Sequence, residues 1–382
     1  MELRKDLPEI FEEFADARKQ SFLTIKEYKE KGIPVVGVFC TYLPREIPNA
    51  MGAAVVGLCS VSDETIPDAE KDLPRNLCPL IKSSYGFAKT DKCPFFYFSD
   101  LVVGETTCDG KKKMYEMLAE FKPVYVIELP NRQSEAGIQM YRQELIRFKE
   151  ELEKRFETVI TEEAIRAQIH QRNGIQAALH RLQYVMTLDP APVYGLDIVN
   201  TVYGSGFNIN TEKLADELNA VTDKIEEEYA AGKNIGKKAR ILLTGSPSGG
   251  AALKVVKAIE ANGGVVVCFE NCSGMKPLSP VDEENPDVYD ALARKYLNIG
   301  CSCMSPNPAR MQLLEQLIDD FHVDGVVDLV LQACHTYNVE TAMVRKLVKE
   351  KKGIPYTVVE TDYSQADIEQ INTRMAAFIE LL

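Results

Sequence analysis

Two stretches of this chain alternate short apolar runs with helical sequence, and that alternation limits the fold more than any other feature. The first stretch begins at Ile33 and runs through IPVVGVF, AAVVGLCS, FFYFSDLVVG and PVYVIELP. The second begins at ARILLTGSP and continues through GGVVVCFE, DGVVDLVLQ and IPYTVVETD. Strands alternating with helices build a parallel sheet with helices laid on its faces. Residues 136–235 between them lack strand signals, and text such as YRQELIRFKEELEKRFE reads as helix. Residues 1–32 read as an amino-terminal helix, with Leu7, Ile10, Phe11 and Phe14 at helical spacing. The expectation is an α/β protein with two doubly wound parallel-sheet domains of the Rossmann or flavodoxin type, at 33–135 and 236–382. A helical segment at 136–235, serving as a cap or dimerisation arm, joins them as a pseudo-twofold pair.

Composition excludes several classes of function. Hydrophobic residues make up 45% of the 382, yet no apolar run approaches the ~20 residues a membrane helix requires. A net charge of −13 argues against nucleic acid, whose binders carry a basic face. The opening MELRKDLPEIFEEF is charged and amphipathic, unlike a signal peptide. A cytoplasmic location follows as the expectation, and there cysteines serve metals or chemistry more than disulfides.

Ten cysteines are present, and six fall into two sets of similar spacing. Cys40, Cys78 and Cys108 are 38 and 30 residues apart; Cys272, Cys301 and Cys334 are 29 and 33 apart. Several end an apolar run, as in VVGVFC, VVVCFENC and VVDLVLQAC. Ligands of doubly wound domains bind beyond the carboxyl ends of the strands, so two facing domains bring six thiolates to one cleft. Any single cysteine is as readily a small buried hydrophobe. That reading holds for Cys59 and Cys268, inside apolar runs, and Cys93 stands at the wrong end of its strand. Cys108 and Cys334 instead precede helical sequence, where free N–H groups favour a thiolate. Cys78 is followed by Pro79, suited to a first helical position; Cys40 precedes a turn into a helix. Cys272 has Ser273 and Gly274 after it, and Cys301 shares a CxC with Cys303. Structural zinc and ferredoxin clusters gather ligands in tight groups, and the chain has no CxxC. Scattered cysteines at the ends of different strands suit a large iron–sulfur cluster; zinc and a redox-thiol role stand as competitors.

The Gly-rich GSPSGGAALK at 245–254 departs from a phosphate loop, because Ala251 follows Gly250 and Lys254 comes a turn later. GxGxxG is missing too, which leaves a nicotinamide site little support; if ATP drives the chemistry, a different protein must hydrolyse it. Of four histidines, His335 beside Cys334 is the one expected near the cluster as proton donor. Glu46 is a candidate carboxylate for the cleft mouth or a first-turn helix residue. Lys111, Lys112 and Lys113 either face a negative ligand or form a solvated charge run.

With these residues assembled, the chain resembles the 2-hydroxyacyl-CoA dehydratase and benzoyl-CoA reductase superfamily over nearly its whole length. TYLPREIPNAMGA is similar to the superfamily's proline-and-glutamate motif, and ETTCDGKKKMYE and LQACHTYNVET resemble its cysteine-bearing blocks. FCTYLPREIP, RNLCPLIKSSYG, ENCSG and GCSC resemble its double-cubane cluster proteins. That resemblance implies two [4Fe–4S] cubanes bridged by sulfide, one on Cys78, Cys108 and Cys334, the other on Cys40, Cys272 and Cys301, with Cys303 as the alternative to Cys301. It also implies a reductase of anaerobic metabolism, and all six cysteines on one chain favour a self-sufficient homodimer over the two different subunits of the single-cubane relatives. A separate ATP-hydrolysing iron–sulfur activator would supply its electrons for reducing a small substrate. A single-cubane 2-hydroxyacyl-CoA dehydratase subunit and a non-catalytic electron carrier are the other two readings.

Overall fold

The computed structural model describes residues 21, 23–247 and 249–382. The expected helix at Leu7, Ile10, Phe11 and Phe14 lies outside them. Two four-stranded parallel sheets form the frame. In the first, β1 (Val35–Val38), β2 (Ala54–Gly57), β3 (Leu101–Glu105) and β4 (Val124–Ile127) lie in the order β2-β1-β3-β4. In the second, β5 (Ala239–Gly245), β6 (Gly264–Phe269), β7 (Gly325–Leu331) and β8 (Tyr356–Thr361) repeat that order as β6-β5-β7-β8. Each sheet therefore reverses direction once, between β1 and β3 and between β5 and β7. In doubly wound sheets the carboxyl side of such a reversal is where ligands bind.

The strands read as unbroken apolar runs because both faces of each sheet are covered. β6 and β7 are buried along their whole length. On one face of the first sheet, Val36, Val38 and Val103 pack with Tyr141, Leu145 and Phe148 of the helix Glu135–Phe156. The same core takes in Leu292 and Tyr296 from the helix Val288–Leu297, which follows β6 in the chain. The two halves thus share a core rather than meet at a thin linker. The expected helical segment holds four helices, Glu135–Phe156, Glu162–Tyr184, Gly195–Ser205 and Leu214–Ala230. The first packs on the first sheet, and the last two pack on the second.

One strand assignment needs correcting. FFYF, expected at the start of β3, is the short helix Pro94–Phe98; the strand begins at Leu101. Pro94 occupies the first helical turn and Cys93 caps it, its Sγ accepting from Phe96 N at 3.4 Å. Cys93 is therefore a helix cap rather than a residue at a strand's amino end.

Candidate metal centre

The carboxyl ends of the strands bring the cysteines together. Cys40 follows β1, Cys108 follows β3, Cys272 follows β6 and Cys334 follows β7, each within three residues of the strand end. Cys108 and Cys334 hold equivalent places in the two sheets. Two of the six depart from the strand-end expectation. Cys78 lies in the long β2–β3 connection, and Cys301 follows the helix Val288–Leu297.

Three of the sulfurs begin helices. Cys78, Cys108 and Cys334 are the cap residues of Pro79–Lys89, Asp109–Leu118 and His335–Lys346, and none of their thiols is spent on capping. Helix amino termini carry free N–H groups and a positive dipole end, which favour thiolates. Cys78 sits in one apolar cluster, against which Cys108 and Cys334 pack. Cys78 donates to Cys334, and that hydrogen bond brings the Cys334 thiol down to about 7.

Cys40, Cys301 and Cys303 pack against a different cluster. Cys40 lies within electrostatic reach of both Cys272 and Cys301; burial raises its thiol well above the ordinary value while Lys111 opposes. Cys303 donates to Cys301, which together with the Lys276 ammonium holds the Cys301 thiol well below the ordinary value. Cys272 is raised by burial against the pull of Lys276. The two groups meet where Cys334 feels the charge of Cys301. Ser302 Oγ joins the two loops through Thr336 Oγ1 at 3.1 Å. This grouping cuts across the chain-order sets, since Cys40 sits with Cys272 and Cys301, and Cys78 with Cys334. Among the described residues no three His, Cys, Asp or Glu side chains close around a single ion.

The donors are soft sulfurs, the class that iron–sulfur clusters take, and buried cations stand beside them. Lys111, expected either to face a negative ligand or to form part of a solvated run, is 8% exposed, its Nζ 3.5 Å from the Phe39 carbonyl oxygen. Lys112 and Lys113 do face solvent and pair with Asp109 and Glu116. Lys276, which sequence reasoning passed over, is fully buried, 3.3 Å from Glu270, and donates to Tyr337 Oη at 2.8 Å. Tyr337 Oη in turn lies 3.7 Å from Cys301 Sγ. Behind them Arg310 reaches Glu340, Glu270 at 3.5 Å and Thr244 Oγ1 at 2.9 Å. Six thiolates gathered here would carry heavy negative charge, and these cations stand where they would offset it in a medium where unpaired charge is costly.

The other named residues take different places. Glu46 is 1% exposed in the first turn of Glu46–Ala50, bound by Tyr296 Oη at 3.0 and 2.9 Å; it is interior rather than at a mouth. His335 is exposed at the first position of its helix. Cys59 donates to the Phe39 carbonyl oxygen at 2.8 Å, and Cys268 is buried inside β6, in keeping with packing roles. In the Gly-rich turn, a Cβ on Gly249, at φ +146°, would sit 2.7 Å from Val61 Cγ1. Lys254 is held by Asp367 at 2.5 Å and the Ser364 carbonyl oxygen at 2.8 Å. That turn is committed to packing.

Two glycines fix the second group's loops. A Cβ on Gly274 would sit 1.9 Å from the Phe269 carbonyl oxygen, and one on Gly300 would sit 2.5 Å from Arg310 N. Both contacts are with backbone, so the loop carrying Cys272 or Cys301 has to move. Gly274→Ala should cost about 1–3 kcal/mol in urea unfolding. It should also lower iron retention, whereas Gly232→Ala, open on all sides though at φ +88°, should leave iron unchanged.

A family model described as 2-hydroxyglutaryl-CoA dehydratase, D-component, matches residues 40–382. The chain is 54% identical over the full length of both proteins to YjiM of Escherichia coli (strain K12), named provisionally as a dehydratase subunit. It is 24% identical to the (R)-phenyllactyl-CoA dehydratase beta subunit of Clostridium sporogenes, over 94% of each chain. The lactoyl-CoA dehydratase subunit beta of Anaerotignum propionicum is 22% identical over 98% of each.

Proposed function

This chain belongs to the 2-hydroxyglutaryl-CoA dehydratase D-component family, and we propose that within it the protein is an iron–sulfur reductase component carrying a double-cubane cluster. Cys78, Cys108 and Cys334 would hold one cubane, and Cys40, Cys272 and Cys301 the other, with Cys303 beside Cys301. The observation that carries this reading is the gathering of distant sulfurs from both sheets into two groups, with Cys334 within electrostatic reach of Cys301. When bound, such clusters supply one-electron reduction at potentials reaching roughly −700 mV. The residues around them do the rest. Lys111 and Lys276 hold positive charge beside the thiolates. Tyr337, anchored by Lys276, offers a hydroxyl to Cys301, and Cys303 brings a thiol proton to the same sulfur.

Electrons at such potentials need an ATP-driven source. The Gly-rich stretch of this chain lacks a phosphate-loop pattern and its Lys254 is paired with Asp367, which supports assigning ATP hydrolysis to a separate iron–sulfur activator protein. The substrate would be a small molecule reduced in the cleft, by a homodimer. No helix among the described residues is long and apolar enough to cross a membrane, in keeping with a cytoplasmic enzyme.

A second reading, a single-cubane 2-hydroxyacyl-CoA dehydratase subunit, is favoured by what the Clostridium sporogenes and Anaerotignum propionicum relatives are named for. A non-catalytic electron carrier is the third. Anaerobic assays with the activator, ATP and a reductant separate them. The reductase reading expects ATP-dependent electron consumption that small oxidants accelerate on this chain alone. Activity only with a 2-hydroxyacyl-CoA and a second, different subunit would establish the dehydratase. Electron uptake that no oxidant or thioester accelerates would leave the carrier.

A further inference from the structure

A surplus of positive charge lies beside the Cys40 loop, away from the sulfurs. Arg45 immediately precedes Glu46, Arg172 comes from the helix Glu162–Tyr184, and Lys295 and Tyr296 come from Val288–Leu297. One near carboxylate, Glu46, serves all three cations, and its oxygens are engaged by Tyr296 Oη. Glu105 adds a weaker pull on Arg45. Arg172 reaches that same tyrosine hydroxyl, while its Nε has no partner. Among the described residues none makes an ion pair or hydrogen bond with the Arg45 guanidinium. Lys295 Nζ sits 3.8 Å above the Tyr296 ring, with only the Gln176 amide oxygen at 3.0 Å to accept from it. Burial and the neighbouring Arg172 lower both Arg45 and Lys295, the latter to about 7.

Interior cations are normally paired, because each unpaired one costs several kcal/mol of lost hydration. Here three cations repel one another around one occupied carboxylate. Arg45 and Arg172 are half-buried rather than fully enclosed.

We propose that Arg45, Arg172 and Lys295 form an oxyanion pocket beside the Cys40 loop, taking the carboxylate or phosphate group of a ligand. Arg172 Nε supplies an unused donor, and the two guanidiniums suit the planar, two-oxygen face of such a group. The pocket needs no cluster for its logic. A failed iron analysis would sink the reductase reading alone, and a failed anion titration this inference alone.

The test uses the full-length, anaerobically purified protein in chloride buffer. It is titrated calorimetrically with inorganic phosphate, succinate or coenzyme A, and its melting point is compared with a sodium chloride control of equal ionic strength. At least one of the three should bind and raise the melting point. Arg172→Met should weaken that binding about tenfold or more, and Lys295→Met should do the same should the first variant fold poorly. Lys154→Met, on an exposed helical face, should match the native protein. In chloride alone Lys295→Met should melt higher than the native protein, and the gap should close as the binding anion is added. Binding by phosphate or succinate identifies a free small anion; binding by coenzyme A alone identifies a phosphate carried on a larger ligand. The proposal is overturned if none of the three exceeds chloride, or if both variants bind as the native protein does.

Discussion

Cys334→Ala should strip most of the visible iron–sulfur absorbance from anaerobically purified protein, and Cys59→Ala should leave it intact. Cys334 caps the helix His335–Lys346, accepts from Cys78, and is the member of its group that feels Cys301. Its charge reaches Cys301, so its loss should disturb both groups. Roughly half the iron or more should go with it, since each proposed cubane would depend on three thiolates. Cys59 is the matched control. It is half-buried and free of disulfides like Cys334, but its Sγ is occupied by the Phe39 carbonyl oxygen. Equal losses at the two positions would contradict the ligand assignment.

The second large effect is on stability. Arg310 is among the largest fully buried side chains of the protein, and it faces Glu340, Glu270 and Thr244. Arg310→Met would leave Glu340 and Glu270 in the interior, with Lys276 still beside Glu270 alone. Breaking one side of a buried ion pair typically costs about 3–5 kcal/mol, and the urea midpoint should fall accordingly. Arg310→Met combined with Glu340→Leu should recover part of that loss, because an apolar pair needs no compensation. A single variant within about 1 kcal/mol of the native protein would show that this network carries little stability.

How much of this is written locally in the chain differs by element. Strands buried on both faces, such as β6 and β7, leave continuous apolar runs that can be read directly. FFYF looked the same and was not, because Cys93 and Pro94 form a helix start that aromatic content hid. Helix-capping cysteines were legible from the helical text after Cys78, Cys108 and Cys334. The second group was less so, for Cys301 follows a helix and gains its company from Cys40, far away in sequence. Tyr337, Arg310 and Arg172 left no trace. Their partners lie tens to hundreds of residues off, as with Tyr296 and Glu46, 250 positions apart. Side-chain pairing across a fold has no period that a sequence displays. Lys276 stands shortly after Cys272 in ENCSGMK, yet nothing in that text says that its ammonium turns inward to Glu270 and Tyr337.

Iron and acid-labile sulfide, counted per chain in protein purified under strict anaerobiosis, address the two-cubane claim most directly. Two sulfide-bridged cubanes predict roughly eight irons with a comparable amount of sulfide. Roughly four irons would contradict the double cluster, and zinc without sulfide would contradict an iron–sulfur centre altogether.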